Sequence, residues 1–552
     1  MKKWEIINKK RPTGGKNKAE EIVKILLENR GIKTKKEIEG FLNPKLEAVN
    51  AESVGVDKTQ LAKAVARIKL AIKNKEQIVV FGDYDVDGVM GSAILWEKLN
   101  SMGAKVMPYI PHRIDEGYGL SIKGIENLLS KIKNCRLIIT VDNGIVANSA
   151  VDFANENKIN VIITDHHVKP KKLPDSLAIV HTTKLCGAGA AWILSQEIKK
   201  TKDNHLELVA LATVADLVPL KGANRTLLKF GLEMLRKTKR IGLLELLKEA
   251  GLTKESLGVY EMGHIVAPRL NAMGRLEYAM DSLRLICTTN LKRAKDLAQL
   301  LGNTNKERQD ITLQTMMHAV EKVKNQKSQF KSLLFIVHES YEQGVIGLVA
   351  GKLVEEFYRP AIVISKGEKF SKASARSISG FNMIDFIRSA QEFLVDAGGH
   401  PMAAGFTVET KKLPLLQKAL EDKANLLINE DLLTRNLKID MNLSLSEIKP
   451  FLFESLQRLS PFGMGNPEPT FVSSGIVEDM RLVGADGKHL KLKIYDPKSG
   501  VKFGAIGFGF GENKENLNTG NKINIVYTIA KDSWSGDKQL QLKLKDFRKS
   551  VD

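Results

Sequence analysis

Three aspartates stand at alternate positions in the stretch Gln77-Ile-Val-Val-Phe-Gly-Asp-Tyr-Asp-Val-Asp-Gly88: Asp83, Asp85 and Asp87. The apolar run 78–81 before them reads as a buried strand, and residues 89–99 have the apolar spacing of a helix. Carboxylates this close repel one another, and at the end of a buried strand that repulsion is tolerable when a cation neutralises it. Hard oxygen ligands on a loop suit Mg²⁺ or Mn²⁺ better than Zn²⁺. An acidic surface turn or a calcium loop would use the same residue types. The calcium loop is disfavoured, because Ile94 stands where its closing bidentate Glu belongs.

Two further stretches repeat the arrangement. Arg136-Leu-Ile-Ile-Thr-Val-Asp142 is an apolar run ending in an acid, and Ile159-Asn-Val-Ile-Ile-Thr-Asp165-His166-His167 is another. Helical patterns separate the runs, so an open parallel sheet is expected, with its carboxyl ends on one edge where ligands bind. A further candidate ligand, Asp216, closes the apolar helix 207–214. Such a set can hold two metals roughly 3.5–4 Å apart and hydrolyse a phosphate ester.

The chain has 552 residues, enough for about three or four domains. It is 43% hydrophobic, so each domain can have a core. Cys135, Cys186 and Cys287 lie far apart in apolar contexts, which suits buried thiols in a reducing cytoplasm. The N-terminus shows no apolar core of signal-peptide length, and no run approaches a membrane span. A formal net charge of +20 favours a polyanionic partner, although solvated lysines would give the same charge.

Taken in order, residues 1–50 are mixed and Lys-rich, and 57–75 form an amphipathic helix. Strands are expected at 78–81, 105–111, 136–141, 159–165 and 177–181, with helices at 122–132, 146–158, 190–199 and 207–214 between and after them. The loop around Tyr118 could reach over the acidic edge. Gly187-Ala-Gly189 could be a phosphate nest, but close packing is the better reading. Residues 225–325 are helical, ending in a long segment, 291–323, that bridges two domains. Strands return at 332–337 and 360–364, and Gly398-Gly399-His400-Pro401 reads as a tight turn whose glycines could let a phosphate backbone approach, although a buried turn is the better reading. After residue 440 come strands at 470–477, 490–494, 501–508, 521–530 and 538–546, which fit a small barrel such as an OB-fold. Lys488, His489, Lys491, Lys493, Tyr495 and Trp534 mix bases with aromatics there, which suits stacking of a single strand, although an ordinary basic barrel would carry the same residues.

These residues together resemble one family. Asp83-Tyr-Asp85-Val-Asp87-Gly, Val141-Asp142-Asn-Gly, Asp165-His166-His167 and Ala215-Asp216 are similar to the four motifs of the DHH phosphoesterase superfamily. Pro111-His-Arg113-Ile-Asp-Glu-Gly-Tyr-Gly119 and Ser460-Pro-Phe-Gly-Met-Gly-Asn-Pro-Glu-Pro469 resemble its RecJ branch, and Gly398-Gly-His400 resembles the companion DHHA1 signature. The likeness covers roughly residues 50–547. It implies an α/β chain: an N-terminal extension (1–50), a parallel-sheet DHH domain (51–225), a helical connector (226–330), a smaller α/β DHHA1 domain (331–430) and a C-terminal OB β-barrel (431–552).

It also implies two Mn²⁺ or Mg²⁺ ions, one on Asp85 and Asp142, the other on Asp87, Asp142, His166 and Asp216. Asp83 is the extra acid of the exonuclease branch, His167 contacts the scissile phosphate, and Asp165 orients the ligand histidine. Arg275, Gln309, Ser374, Arg376 and His400 match positions that bind DNA phosphates. Phe81, Lys352 and Ala397 depart from the family pattern, standing for His, Arg and Gly. The expected activity is 5′→3′ hydrolysis of single-stranded DNA to mononucleotides in repair and recombination. The expected setting is a cytoplasmic monomer without membrane contact, working with a single-stranded-DNA-binding protein and a RecQ-type helicase. A C-terminal domain found in larger relatives is expected to be missing. Two alternatives stand beside it: a phosphodiesterase for short oligonucleotides or cyclic dinucleotides, which the barrel disfavours, and a non-catalytic replication scaffold, which should have lost motif acids.

Overall fold

A computed structural model describes the chain except residues 1, 11, 13–16, 114, 201–204, 326–331, 533–538 and 551–552. The chain opens on a short strand, β1 (Lys3–Asn8), whose hydrogen-bonded partner lies more than 400 residues further on. It then builds a five-stranded sheet from β2 (Gln77–Gly82), β3 (Lys105–Tyr109), β4 (Cys135–Val141), β5 (Asn160–Asp165) and β6 (Ala178–His181). The order is β3-β2-β4-β5-β6 and every pairing is parallel. The strands read as unbroken apolar runs because helices cover both faces. On one face the helix Val86–Ser101 packs against the helices Gly187–Ile198 and Leu206–Ala215. On the other, Ile125, Leu128 and Val151 close over Val79, Phe81, Ile138 and Ile163.

After further helices, one of 35 residues, Leu291–Asn325, spans about 50 Å and leads to a second sheet. Its strands are β7 (Leu334–His338), β8 (Ala361–Ser365), β9 (Phe370–Arg376), β10 (Leu394–His400) and β11 (Ala403–Glu409), in the order β10-β11-β9-β8-β7. Only β7 and β8 run parallel. The segment 398–401 therefore differs from the buried turn its sequence suggests. Gly398, Gly399 and His400 end a strand of an antiparallel hairpin and are exposed, with Gly398 opposite Gly405.

The last strands are β12 (Asn436–Asn442), β13 (Phe471–Val483), β14 (His489–Tyr495), β15 (Lys502–Gly507), β16 (Lys522–Lys531) and β17 (Leu540–Lys549). β13 pairs with both β14 and β16, β14 with β15, β15 with β17 and β17 with β16, so five strands close a barrel. The chain falls into two compact units: Leu46–Val218 with Ala223–Thr434, and Met1–Lys45 with Pro219–Gly222 and Arg435–Asp552. The N-terminal residues are thus part of the barrel's unit. β1 pairs with β12, and the helix Lys18–Asn29 adds Ile22, Val23, Leu26 and Leu27 to the barrel core. The buried Arg30 guanidinium donates to Asn466 Oδ1 (2.8 Å) and to the Pro467 carbonyl (2.6 Å), which gives part of the motif 460–469 a structural task.

Candidate metal and phosphate site

Each acidic residue is placed by the end of a strand or helix. Asp83 follows β2, Asp142 follows β4, and Asp165 ends β5 with His166 and His167 next in sequence. Asp85 caps the helix Val86–Ser101, accepting from the Gly88 amide at 3.0 Å, and Asp87 lies in that helix's first turn. Asp216 follows the last residue of the helix Leu206–Ala215. The parallel sheet brings all of them to one edge. Asp83, Asp85 and Asp142 each offer an oxygen within 4.8 Å of the others, and so do the ligand atoms of Asp87, His166 and Asp216, and of Asp142, His166 and His167. His166 Nε2 is 3.1 Å from Asp142 Oδ1, 3.7 Å from Asp216 Oδ2 and 3.8 Å from Asp87 Oδ2.

The surroundings of these carboxylates favour a cation. Burial, then the Asp87 charge, pushes the Asp142 carboxyl well up. Burial, then Asp85, does the same to Asp83, and burial, then Asp87, raises Asp85. Burial with Asp87 and Asp85 pushes Asp216 up to about 9. Asp83 Oδ1 and Asp142 Oδ1 are buried and receive no hydrogen bond among the described residues. Asp142 holds a left-handed backbone (φ 63°), a strain of order 1–3 kcal/mol that cores do not adopt for packing alone. Gly187 lies so close that a Cβ there would come within 2.5 Å of Asp142. The amides of Gly187 and Ala188 donate to Asp87 at 2.6 and 2.7 Å, so the first turn of that helix serves a carboxylate of the site. An oxygen-rich set with buried oxygens that accept no hydrogen bond, beside one imidazole, fits a hard divalent ion.

One sequence expectation changes. Asp165 was expected to orient the ligand histidine His166, but its Oδ1 accepts from His167 Nδ1 at 2.7 Å, and from His166 only the backbone amide. Burial works to raise the Asp165 carboxyl, yet the hydrogen bond and charge of His167 outweigh it and hold it low. Burial likewise works to lower His167, and Asp165 raises it.

Facing the acids is a basic wall. Arg275 Nη1 donates to the Gly344 carbonyl at 3.1 Å, and Arg376 Nη1 to Ser374 Oγ at 3.1 Å. Burial, then crowding by Arg113, Arg308 and Arg376, pushes Arg275 down to about 10. Burial and Arg113 also lower Arg376. Guanidiniums this close, with no ion pair to a carboxylate among the described residues, suit an anion. His400 stacks toward His167, ring centres 6.2 Å apart. Gln309 follows Arg308 on the long helix and is exposed.

The sequence placed the loop around Tyr118 over the acidic edge, and the tyrosine's hydroxyl is 3.2 Å from His167 Nε2; the part of Arg113 and Arg308 in this wall was missed. Arg113 and Tyr118 stand in one motif, so their nearness in the chain was the available signal; Arg308 offered none.

In the barrel unit, Leu490, Leu492 and Ile494 point inward while His489, Lys491, Lys493 and Tyr495 alternate outward. Lys493 and Lys502 both pair with Glu478, so the free charge on this face is smaller than the lysine count implies. Phe508 is exposed beside His489. Trp534 lies outside the described residues.

A parallel sheet that ends in clustered aspartates and paired histidines, faced by an arginine-bearing second sheet, is the arrangement of the DHH class. The DHH family N-terminal domain matches residues 77–213, the DHHA1 domain 329–426 and the RecJ OB domain 439–546. The chain belongs to the RecJ family. It is 37% identical over 500 residues to the single-stranded-DNA-specific exonuclease RecJ of Bacillus subtilis (strain 168), covering 88% of this chain and 63% of that protein. It is 31% identical over 501 residues to the enzyme of the same description from Thermus thermophilus, covering 89% and 71%. The crystal structure of Thermus thermophilus RecJ in complex with Mn²⁺ superposes with a TM-score of 0.82 at 26% identity, covering all of this chain and 80% of that one. The chain spans just under two thirds of the Bacillus subtilis relative, and no described helix is long and apolar enough to cross a membrane.

Proposed function

We propose that this chain is a metal-dependent exonuclease that removes mononucleotides from the 5′ end of single-stranded DNA. The observation that carries the reading is Asp142: a buried, backbone-strained carboxylate that belongs to two separate ligand groups and leaves Oδ1 without a hydrogen bond. Asp85 and Asp142 would hold one divalent ion, with Asp83 beside them. Asp87, Asp142, His166 and Asp216 would hold a second. Such ions, when bound, lower the pKa of an attacking water and offset charge on the scissile phosphate. The chain's own residues do the rest. Asp165 fixes the His167 ring by its Nδ1, so Nε2, beside the Tyr118 hydroxyl, is the nitrogen that would meet a phosphate. Arg376, Ser374, Arg275 and Gln309 would take the 5′-terminal phosphate, whose charge exceeds that of an internal diester, and so set the register and the direction of attack. His400 would sit over the neighbouring phosphate from the opposite sheet.

The outward lysines of β14 would bind phosphates of a single strand. Blunt duplex has no free single strand to enter, so the reading calls for partners that expose one, a RecQ-type helicase and a single-stranded-DNA-binding protein, in the cytoplasm. A cyclic-dinucleotide phosphodiesterase has no evident use for the barrel. The test is purified protein on end-labelled single-stranded DNA, single-stranded RNA and blunt duplex, with Mn²⁺ or with chelator. Mn²⁺-dependent loss of the DNA single strand is expected, with the duplex intact. Hydrolysis that survives the chelator, or that prefers the duplex, would overturn it.

A further inference from the structure

Away from the acidic edge, a cavity of about 800 Å³ opens at the far ends of the helices that serve it. The helix Val86–Ser101 starts beside Asp85 and brings Trp96 and Glu97 to this cavity; the helical rise from Asp87 to Glu97 is about 15 Å. The helix Leu206–Ala215 runs the other way, with Glu207 in its first turn at the cavity and Asp216 just past its end at the acidic edge. Thr288 and Thr289, shortly before the helix Leu291–Asn325, line the cavity and also a smaller hollow of about 460 Å³. The larger volume falls in the range of small-molecule sites.

On its buried side lies a charge cluster with one acceptor left over. The Arg240 guanidinium donates to Glu97 Oε1 and Oε2 at 2.6 and 2.8 Å and to Glu207 Oε1 at 2.7 Å, and His205 Nε2 stands 2.9 Å from Glu97 Oε2. Burial works to raise the Glu97 carboxyl, yet Arg240 and His205 hold it down to about 2. Two carboxylates thus share one guanidinium. Glu207 is 5% exposed, and its Oε2 accepts no hydrogen bond among the described residues. A buried carboxylate oxygen left without a donor is costly for packing alone, and it suits a ligand that brings an N–H group.

The rim has the opposite chemistry. Lys237 and Lys239 line the cavity and are exposed, and Lys292 and Arg293 line the smaller hollow beside Asp296. Lys292 and Arg293 stand in the first turn of the helix Leu291–Asn325, where the dipole favours acids and none is present. Trp96, Ile241 and Ile286 add an apolar lining. A ligand that meets all three features has a flat apolar body, an amino group and a phosphate. We propose that this cavity binds a nucleotide with an amino-bearing base. The exocyclic amine donates to Glu207, the base lies along Trp96 and its apolar neighbours, and the phosphate meets the cations of the rim.

Binding is measured by titration calorimetry on the full chain in chelator with no DNA present, so the result does not depend on the nuclease reading. AMP is the probe, beside purine riboside 5′-monophosphate, which lacks the amine, and adenosine, which lacks the phosphate. AMP should bind the wild type. The purine analogue should bind about 10- to 150-fold more weakly, as loss of a hydrogen bond to a charged acceptor implies. Adenosine should bind several-fold more weakly, because the cations of the rim lose their anion. Glu207→Gln turns an amide N–H toward the amine, so it should weaken AMP by a similar factor and spare the purine analogue. The double variant Lys237→Glu, Lys239→Glu lies on the exposed rim, clear of the buried cluster, and decides the matter if Glu207→Gln fails to fold. It should weaken AMP and spare adenosine. AMP that does not bind, that binds no better than either analogue, or that binds either variant as tightly as the wild type overturns the site.

Discussion

At the scale of single residues, the acidic edge is a set of charges that oppose one another until a cation arrives. The folded protein without metal holds Asp83, Asp85, Asp142 and Asp216 above the ordinary carboxylate range, chiefly through burial and then one another's charge. An unfolded carboxyl titrates near about 3.9. Between that value and the raised folded ones, the folded state binds more protons than the unfolded state, so stability is full at low pH and is lost as pH rises. With Asp216 pushed up to about 9, the window runs from roughly pH 4 to 9. Melting curves in chelator should therefore fall across it, Mn²⁺ should restore the loss most at the alkaline end, and Asp142→Asn should flatten the decline. The same substitution should reduce hydrolysis on the order of 10³-fold with the circular dichroism spectrum unchanged. A chelated protein that melts independently of pH, or a variant that cuts like the wild type, would contradict the assignment. The aspartates and paired histidines were readable in the sequence, because each closes an apolar run. The tie from Asp165 to His167 was not, since neighbouring residues give no hint of which imidazole a carboxylate will meet.

At the scale of elements, the helix Gly187–Ile198 does more than pack. Its first two amides hold Asp87, and its first residue leaves Asp142 the room it occupies. Gly187→Ala forces a Cβ to within 2.5 Å of Asp142, so it should weaken Mn²⁺ binding by about tenfold or more in titration calorimetry while the parallel sheet persists. Equal affinity in the variant would show that the close approach has no bearing on the metal. Strands β2, β4 and β5 could be read from sequence because both of their faces are covered, which leaves continuous apolar runs. β9 to β11 could not. Ser371, Ala373 and Ala375 carry the inward face of β9 with side chains too small to mark a period, and Gly398 and Gly399 read as a turn although they lie in a strand. β1 was hidden for another reason: its partner β12 lies at the far end of the chain, and nothing local to residues 3–8 signals that pairing.

At the scale of the whole molecule, a net charge of +20 is spread over two compact units, so each has basic residues to offer a polyanion. Residues 1–45 complete the core of the barrel's unit, so removing residues 440–552 alone would strand Ile22, Leu26 and Leu27 without cover. Point changes on the outer face are the cleaner probe. Lys491→Glu should weaken binding of a long single strand and lower the slope of log affinity against log salt by about 0.7. Cleavage of short oligonucleotides should be spared. An unaltered salt slope would remove β14 from the strand's path.

The central claim is that the acidic edge and the arginine wall act together on a 5′ end. It is tested most directly by two preparations of one single strand, labelled at the 5′ or at the 3′ terminus, digested with Mn²⁺ by the wild type and by Arg376→Ala. The wild type should release the 5′ label at once as a mononucleotide and leave the 3′ label on a stepwise-shortening strand. It should act faster when the 5′ end is phosphorylated, and Arg376→Ala should erase most of that preference while still cutting. Stepwise shortening from the 3′ end, with the 5′ label kept on the long products, would contradict the account.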